Sequence, residues 1–120
     1  MPSIAYDVAF TTRAAALLRD ISDGKARKAI GAKVDDLRTD AELRGKPLQD
    51  DLRDYRSMPA AGRYRVIFRV HPPVPANDPA APPPNGKVYI VCVGIRKDGA
   101  KNDVYALASK MFKRGELTPE

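Results

Sequence analysis

The sequence predicts an α+β fold in which a small antiparallel β-sheet carries an N-terminal helical hairpin on one face. Three observations lead to this prediction. Residues 62–70 alternate between apolar and cationic side chains, residues 87–95 are apolar at nearly every position, and two stretches near the N-terminus repeat apolar residues at helical spacing. The first pattern is typical of a half-buried strand and the second of a central strand covered on both faces. The predicted element order is β-α-α-β-β-β-α.

The composition is that of one globular domain, which we expect to span residues 1–120. The chain has 43% hydrophobic and 30% charged residues, enough for a modest core without disulfides or metal. Its formal net charge of +6 favours an anionic partner, such as a nucleic acid or an acidic protein. A single cysteine, no signal peptide and no apolar run long enough to cross a bilayer predict a cytoplasmic protein without membrane association.

The N-terminal part is predicted to hold one strand and two helices. Over residues 3–9, apolar side chains alternate with smaller or polar ones, as in a half-buried strand. Thr11 and Thr12 are good N-cap types for a first helix that ends near Ser22, and a second helix follows the break at 23–24 and reaches about Thr39. The second helix is expected to bury an apolar stripe that consists of Ala26, Ile30, Val34 and Leu37.

The middle of the chain is predicted to form a cationic β-hairpin. One side of its second strand is apolar and consists of Tyr64, Val66, Phe68 and Val70. The other side carries Arg63, Arg65, Ile67 and Arg69. Pro59 and Gly62 predict a turn at 58–62, so residues 52–57 should run back antiparallel and bring Arg53 or Arg56 near Arg65. Arginines on such a face either keep the sheet solvated or bind phosphate, and their planar fork favours the second interpretation.

The hairpin is preceded and followed by loops. Lys46 lies in a polar loop that leads into the hairpin, where it could reach a ligand. Residues 71–86 contain seven prolines and are predicted to form a long exposed hairpin connection, either a surface insertion or a proline-rich docking ligand. The only histidine, His71, begins this loop, so we predict no metal site, no histidine-based catalytic pair and no cofactor.

The C-terminal part is predicted to supply a central strand and a last helix. The strand over 87–95 holds the only cysteine, Cys92, which should be a small core residue rather than a nucleophile. Arg96 and Lys97 place two cations directly after this strand. A helix should begin near residues 103–105 and extend to about Lys113, with Leu107 and Met111 toward the core.

Three segments together resemble the RelE/ParE superfamily of toxins from bacterial type II toxin–antitoxin systems. They are LRGKPLQDDLRDYRS at 43–57, GRYRVIF at 62–68 and VGIRKDGAKNDVY at 93–105, and the resemblance extends over roughly residues 6–111. It implies a small sheet with packed helices and a cognate antitoxin as partner. RelE-like members are metal-independent endoribonucleases that cut mRNA in the ribosomal A site and thereby inhibit translation. ParE-like members instead inhibit DNA gyrase.

The resemblance also implies roles for individual residues. Arg65 would hold the scissile phosphate, Arg96 would neutralise the leaving group, and Tyr105 would position the 2′-hydroxyl or stack on a base. Further RNA contacts would come from Arg53, Arg56, Arg63, Lys46 and Lys97. Two lysines of the RelE pattern align here with Leu52 and Asp54, and Asp54 is expected to pair with Arg56 or Arg65 or to take part in acid–base chemistry.

We therefore expect a ribosome-dependent mRNA endonuclease whose partners are the antitoxin, the ribosome and mRNA. The alternatives are a gyrase inhibitor that acts through protein contacts and an inactive homologue that only binds its antitoxin. They differ in a testable way, because the ribonuclease requires Arg65, Arg96 and Tyr105 to converge on one surface.

Overall fold

The computed structural model describes residues 3–74, 77–78, 80, 84–97 and 103–117. The strands are β1 (Tyr6–Phe10), β2 (Lys46–Pro47), β3 (Arg56–Ala61), β4 (Tyr64–His71) and β5 (Gly86–Ile95). The helices are α1 (Thr12–Arg19), α2 (Gly24–Asp35) and α3 (Val104–Lys113). Short 3-10 helices cover Asp36–Arg38, Ala41–Leu43 and Asp50–Leu52. No helix in these described ranges is long and apolar enough to cross a membrane.

The strands form one five-stranded sheet in the order β1-β5-β4-β3-β2. The pairs from β2 through β5 are antiparallel, whereas β1 pairs with β5 in parallel. The α+β prediction is confirmed, but the prediction of a purely antiparallel sheet is wrong, because the sheet is mixed. Apolar alternation determines which face of a strand is buried and carries no information on the direction of its neighbour.

The first face of the sheet is covered by α1 and α2. α1 packs against β5 and β1, and α2 packs against β3 and β4. The predicted apolar stripe is confirmed, since Ala26, Ile30, Val34 and Leu37 are all at most 6% exposed. The second helix ends earlier than predicted, however, and Leu37 lies in the 3-10 helix that follows α2. Their partners in this core include Val66, Phe68 and Ile90. The side chains of Thr11 and Asp23 cap the two helices, so both helix starts follow from local sequence.

The second face is covered by α3 together with the segment around the third 3-10 helix. Its buried cluster consists of Leu52, Tyr55, Ile67, Val91, Cys92, Val104, Ala108, Met111 and Leu117. β5 therefore lies between two strands and is covered on both faces, which confirms the central-strand prediction. Cys92 is a core residue as predicted, and its burial raises the pKa of the thiol to about 12.

β5 contains one irregularity in its pairing with β4. Ile67 lies opposite Cys92, and the next residue, Phe68, lies opposite Ile90, so Val91 is one extra residue in β5. Such a β-bulge places two consecutive side chains on the same side of the strand. Val91 and Cys92 accordingly both belong to the core beneath α3.

The hairpin turn lies later in the chain than predicted. Residues 62–63 form the turn and 58–61 belong to β3, with Pro59 opposite Arg65. β2 pairs only with Arg56 and Ser57, so β3 has an open outer edge at Pro59, where a residue without an N–H group is tolerated. As a result Arg56 lies opposite Phe68 and Arg53 precedes the strand. The expected approach of Arg53 or Arg56 to Arg65 is therefore wrong.

The proline-rich connection between β4 and β5 lies partly outside the described residues, which omit 75–76, 79 and 81–83. Its predicted form therefore stays a prediction. His71, expected to begin this loop, is instead the last residue of β4 and lies opposite Lys87 of β5.

Candidate functional site

Two adjoining clefts open where β4 begins and β5 ends. The first, which we call the Tyr105 cleft, has a volume of about 400 Å³ and is lined by Gly45, Lys46, Pro47, Leu48, Ser57, Pro59, Arg65, Arg96 and Tyr105. The second, which we call the Arg63 cleft, has a volume of about 410 Å³ and is lined by Arg63, Arg65, Arg96 and Lys97. Arg65 and Arg96 line both clefts, so the two form one continuous cationic surface.

Arg65 is held by the hairpin turn. Its Nη1 donates hydrogen bonds to the carbonyl oxygens of Gly62 (2.9 Å) and Tyr64 (3.0 Å). Gly62 adopts a φ of +50°, a left-handed conformation that glycine tolerates without steric cost. Since a guanidinium group has N–H donors on three nitrogens, these two bonds fix its orientation while Nε and Nη2 remain available to an anion. The fork of Arg65 is thus oriented before a ligand arrives.

Arg96 is joined to the same turn through its backbone. Its N–H donates to the carbonyl oxygen of Arg63 at 2.9 Å, which ties the end of β5 to the hairpin. Just before it, Gly94 lies opposite Arg65, and a Cβ atom on Gly94 would come within 3.3 Å of Val104. α3 therefore begins very close to the end of β5, which Arg96 directly follows.

Tyr105 is placed in its cleft by the start of α3. Asp103 is the N-cap, and its Oδ2 accepts hydrogen bonds from the N–H groups of Tyr105 (2.9 Å) and Ala106 (3.3 Å). Its Oδ1 accepts the N–H of Lys97 at 2.5 Å. The carboxylate of Asp103, a residue that is 7% exposed, thus joins the helix to the segment after β5. The sequence predicted a helix start here, but not the bond to Lys97.

Ser57 is a second residue of the site that sequence reasoning missed. It is 6% exposed on β3, and its Oγ lies 2.9 Å from the phenolic Oη of Tyr105. The two residues are 48 positions apart, so no local motif connects them. Once the turn is located at 62–63, strand alternation would have placed Ser57 on the α3 side, opposite Ile67.

Of the residues predicted to bind RNA, the clefts bring together Lys46, Arg63 and Lys97 but neither Arg53 nor Arg56. Arg53 lines a separate groove of about 240 Å³. In Arg56, Nε donates to the carbonyl oxygen of Arg44 (2.8 Å) and Nη2 to that of Gly45 (3.2 Å). The Arg56 guanidinium therefore holds the segment just before β2, and Lys46, predicted to lie in a loop, is the first residue of that strand.

Asp54 lies in that separate groove, beside Arg53 and Arg56. The ion pair expected between Asp54 and either Arg56 or Arg65 is not formed; all three residues belong to the described part of the chain. Asp54 precedes β3 by two residues, whereas Arg65 lies opposite Pro59 in the middle of β3. The register of the hairpin therefore keeps Asp54 and Arg65 apart. Two of the three guanidinium nitrogens of Arg56 already donate to backbone carbonyls.

The electrostatic character of the two clefts is uniform. Their charged lining residues, within the described ranges, are Lys46, Arg63, Arg65, Arg96 and Lys97, and no carboxylate lines either cleft. The imidazole of His71 lies at the other end of β4. Such a surface attracts anions and offers planar forks suited to phosphate oxygens. Among the described residues, it offers hydroxyl groups but no imidazole or carboxylate that could accept a proton.

No protein-family model, curated protein or solved structure matches this chain. The function is therefore inferred from the geometry and charge of the two clefts, together with the resemblance of the three short segments.

Proposed function

We propose that this chain is a RelE-like toxin of a type II toxin–antitoxin system, a ribosome-dependent and metal-independent endonuclease that cuts mRNA and inhibits translation. The observation that supports the proposal is the convergence of Arg65, Arg96 and Tyr105 on one cleft. They come from β4, the end of β5 and the start of α3, and the ribonuclease hypothesis requires them to meet.

The chemistry assigns each of the three residues a role. When a 2′-hydroxyl attacks the adjacent phosphorus, negative charge develops on the phosphate oxygens and then on the leaving 5′-oxygen. Preoriented cations stabilise such charge because they do not have to reorganise during the reaction. Arg65 holds the phosphate with its oriented fork, Arg96 neutralises the leaving oxygen, and the Tyr105 hydroxyl contacts the reacting nucleotide.

The pairing of the two clefts favours a polynucleotide over a mononucleotide. Because Arg65 and Arg96 line both clefts, a phosphate bound between them has cationic subsites on either side. Arg63 and Lys97 lie on one side and Lys46 on the other. Successive phosphates of one strand occupy these subsites, and the interaction carries the salt dependence expected of phosphate contacts.

The described residues that line the two clefts include no imidazole or carboxylate that could act as a general base, which has two consequences. The purified protein cuts free RNA poorly, and the ribosome supplies the alignment that makes attack by the 2′-hydroxyl efficient. The same observation favours the alternative function, a ParE-like inhibitor of DNA gyrase. In that case the cationic surface binds a protein or DNA instead of cleaving RNA.

Induced expression in bacteria separates the two functions. RNA 5′ ends are mapped after induction, and a gyrase supercoiling assay is run in parallel. We expect cuts within translated codons, and we expect Arg65→Ala and Arg96→Ala each to lower cleavage on the order of 100-fold or more while the fold is kept. Lys113→Ala removes an exposed cation from the far end of α3 and should leave toxicity intact.

If Arg65→Ala and Arg96→Ala stay toxic and the protein blocks supercoiling by gyrase, the endonuclease proposal fails and the gyrase inhibitor takes its place. No toxicity and no cleavage in the wild type would leave the inactive antitoxin-binding homologue.

A toxin of this kind requires a cognate antitoxin. The excess of cations in the clefts favours an antitoxin segment with acidic side chains, which would cover Arg65 and Arg96 and speed association. Co-expression with the adjacent reading frame should restore growth, and the complex should protect both arginines from a guanidine-modifying reagent. Absence of any co-purifying protein encoded next to the toxin would contradict this partner.

A further inference from the structure

The Tyr105 cleft contains a hydrogen bond between Ser57 and Tyr105 to which the proposed function assigns no role. The two hydroxyl oxygens are 2.9 Å apart, and either one could be the donor. Both side chains line the cleft beside Lys46, Arg65 and Arg96. The direction of this bond decides whether Tyr105 offers a proton or a lone pair to a ligand.

Both ends of the pair are rigidly placed. Ser57 lies inside the sheet, opposite Lys46 of β2 on one side and Ile67 of β4 on the other, and is 6% exposed. Tyr105 is fixed through the N-cap Asp103, whose Oδ2 binds its N–H at 2.9 Å. The pair therefore exists before a ligand binds and needs no rearrangement when it does.

A bound phosphate settles the direction of the bond. A phosphodiester only accepts hydrogen bonds, and the cations beside Tyr105 only donate them. The Tyr105 hydroxyl can therefore contact the phosphate only as a donor, which leaves its oxygen as the acceptor for Ser57. In the liganded cleft Ser57 donates to Tyr105 and Tyr105 donates to the phosphate.

We propose that Ser57 is a positioning residue that orients the Tyr105 hydroxyl toward a phosphodiester oxygen of the RNA. The inference rests on the proposed function, because it takes an RNA phosphate as the occupant of the cleft. A donor bonded to the phenol oxygen also polarises the phenolic O–H group and strengthens the bond that it makes. Ser57 acts only through Tyr105, so its effect must vanish when the phenolic oxygen is removed.

A double-mutant cycle in binding tests this dependence. The probe is a fluorescent, single-stranded 2′-O-methyl hexanucleotide, which cannot be cleaved by 2′-hydroxyl attack, and its affinity is measured by anisotropy at fixed low salt. We expect Ser57→Ala to weaken binding by about three- to tenfold in the wild-type background, the size of one hydrogen bond. In the Tyr105→Phe background, Ser57→Ala should have no further effect.

A second pair of variants separates the hydroxyl group from the shape of the side chain. Ser57→Thr keeps the hydroxyl, and Ser57→Val has nearly the same shape as threonine without it. Binding should be retained in Ser57→Thr and lost to the same extent in Ser57→Val as in Ser57→Ala. The Thr and Val pair also carries the test if the alanine variant does not fold, which urea unfolding reports.

The possible outcomes separate this inference from the proposed function. Equal weakening by Ser57→Ala in both backgrounds, or none in either, overturns the positioning role. If Arg65→Ala abolishes binding while Ser57→Ala and Ser57→Val bind like the wild type, RNA binding at the cleft stands and only the role of Ser57 fails. If the wild type does not bind the probe, or Arg65→Ala binds it equally well, both fail.

Discussion

Arg56 and Arg65 are identical side chains on neighbouring strands, and their surroundings give them different roles. The Arg56 fork is occupied by the carbonyl oxygens of Arg44 and Gly45. Arg65 uses one nitrogen to hold its own turn and lines both clefts with the rest of its side chain. Each arginine binds two backbone carbonyl oxygens, but Arg56 uses two of its nitrogens for this and Arg65 uses only one, which leaves more of the Arg65 guanidinium for a ligand.

Arg56→Ala should therefore cost stability more than it costs ligand affinity. The variant removes two charge-assisted hydrogen bonds from a partly buried site, and we expect it to lower the free energy of unfolding by about 1–2 kcal/mol. Arg53→Ala is the control, because this side chain is exposed and should stay within about 0.5 kcal/mol of the wild type. Urea unfolding measures both. Equal stability of the two variants would contradict the structural role of Arg56.

Two glycines with positive φ angles give a second matched comparison. Gly45 has a φ of +68°, and a Cβ atom there would lie 2.4 Å from the carbonyl oxygen of Ser57, whereas Gly62 has a φ of +50° and open space around it. Gly62→Ala should cost about 1 kcal/mol for the left-handed backbone alone. Gly45→Ala should cost clearly more, because β2 must also move away from β3. Similar melting temperatures for the two variants would show that the close contact is relieved without cost.

For single residues, the sequence predicts which side chains suit a phosphate ligand better than it predicts which other residues they contact. Arg65, Arg96 and Tyr105 could be selected because their residue types suit phosphate and because short segments resemble a toxin family. Ser57 and Asp103 could not, since their importance depends on atoms contributed by distant strands and helices. The ion pairs expected for Asp54 failed for the same reason.

Among the elements, the start of α3 is the one on which the site depends most. Asp103 caps α3 and binds the N–H of Lys97 as well, so it fixes the helix relative to the end of β5. Asp23 caps α2 in a similar way, with two backbone N–H groups as donors, but it is exposed and makes no bond to another element within the described residues.

Asp103→Ala should accordingly be more costly than Asp23→Ala. An N-cap is worth about 1 kcal/mol, and we expect about that loss for Asp23→Ala. For Asp103→Ala we expect about 2 kcal/mol or more, because the N–H of Lys97 also loses its acceptor. Ligand affinity should fall only in Asp103→Ala, since that change releases Tyr105 from Ser57. Urea unfolding and the anisotropy assay test the two statements, and unchanged affinity in Asp103→Ala would refute the second.

Elements were predictable where side-chain pattern alone decides them. The apolar stripe of α2 and the fully covered strand β5 follow from hydrophobic periodicity. The hairpin turn did not, because Pro59 is usual in turns and is accommodated here at an open edge of β3. The parallel pairing of β1 depends on the path of the whole chain, which no local pattern records.

For the molecule as a whole, His71 links folding to pH. Its ring meets Tyr89 edge to face with centroids 5.5 Å apart, and its Nε2 is buried without a hydrogen-bond partner in the described part of the chain. Burial, and secondarily the charge of Arg69, lowers the pKa of the imidazole below its usual 6.5. Lys87, opposite His71 on β5, adds no negative charge that would favour the imidazolium.

The sign of the pH effect follows from this lowered pKa. The unfolded chain binds a proton more readily than the native state, so the contribution of His71 to stability is complete above about pH 7. It is lost as the pH falls from about 6.5 through the lower native pKa. Most carboxylates stay ionised between about pH 7.5 and 5.5. We expect the urea midpoint of the wild type to fall over this range, and we expect His71→Gln to remove much of that fall. The same loss in both proteins would show that other groups carry the effect.

The extra residue in β5, Val91, determines which face of the sheet the following side chains occupy. Successive side chains of a regular strand point to opposite faces of the sheet. Tyr89 lies on the α3 side, and Arg96 follows it by seven positions, so in a regular strand Arg96 would lie on the other face. At the bulge, Val91 and Cys92 lie on the same face of the sheet. Each residue after the bulge therefore lies on the face opposite to the one that it would have in a regular strand. Arg96 then lies on the same side as Arg65. Whether the two arginines can share a ligand thus depends on one extra residue in the core, five positions before Arg96 in the sequence.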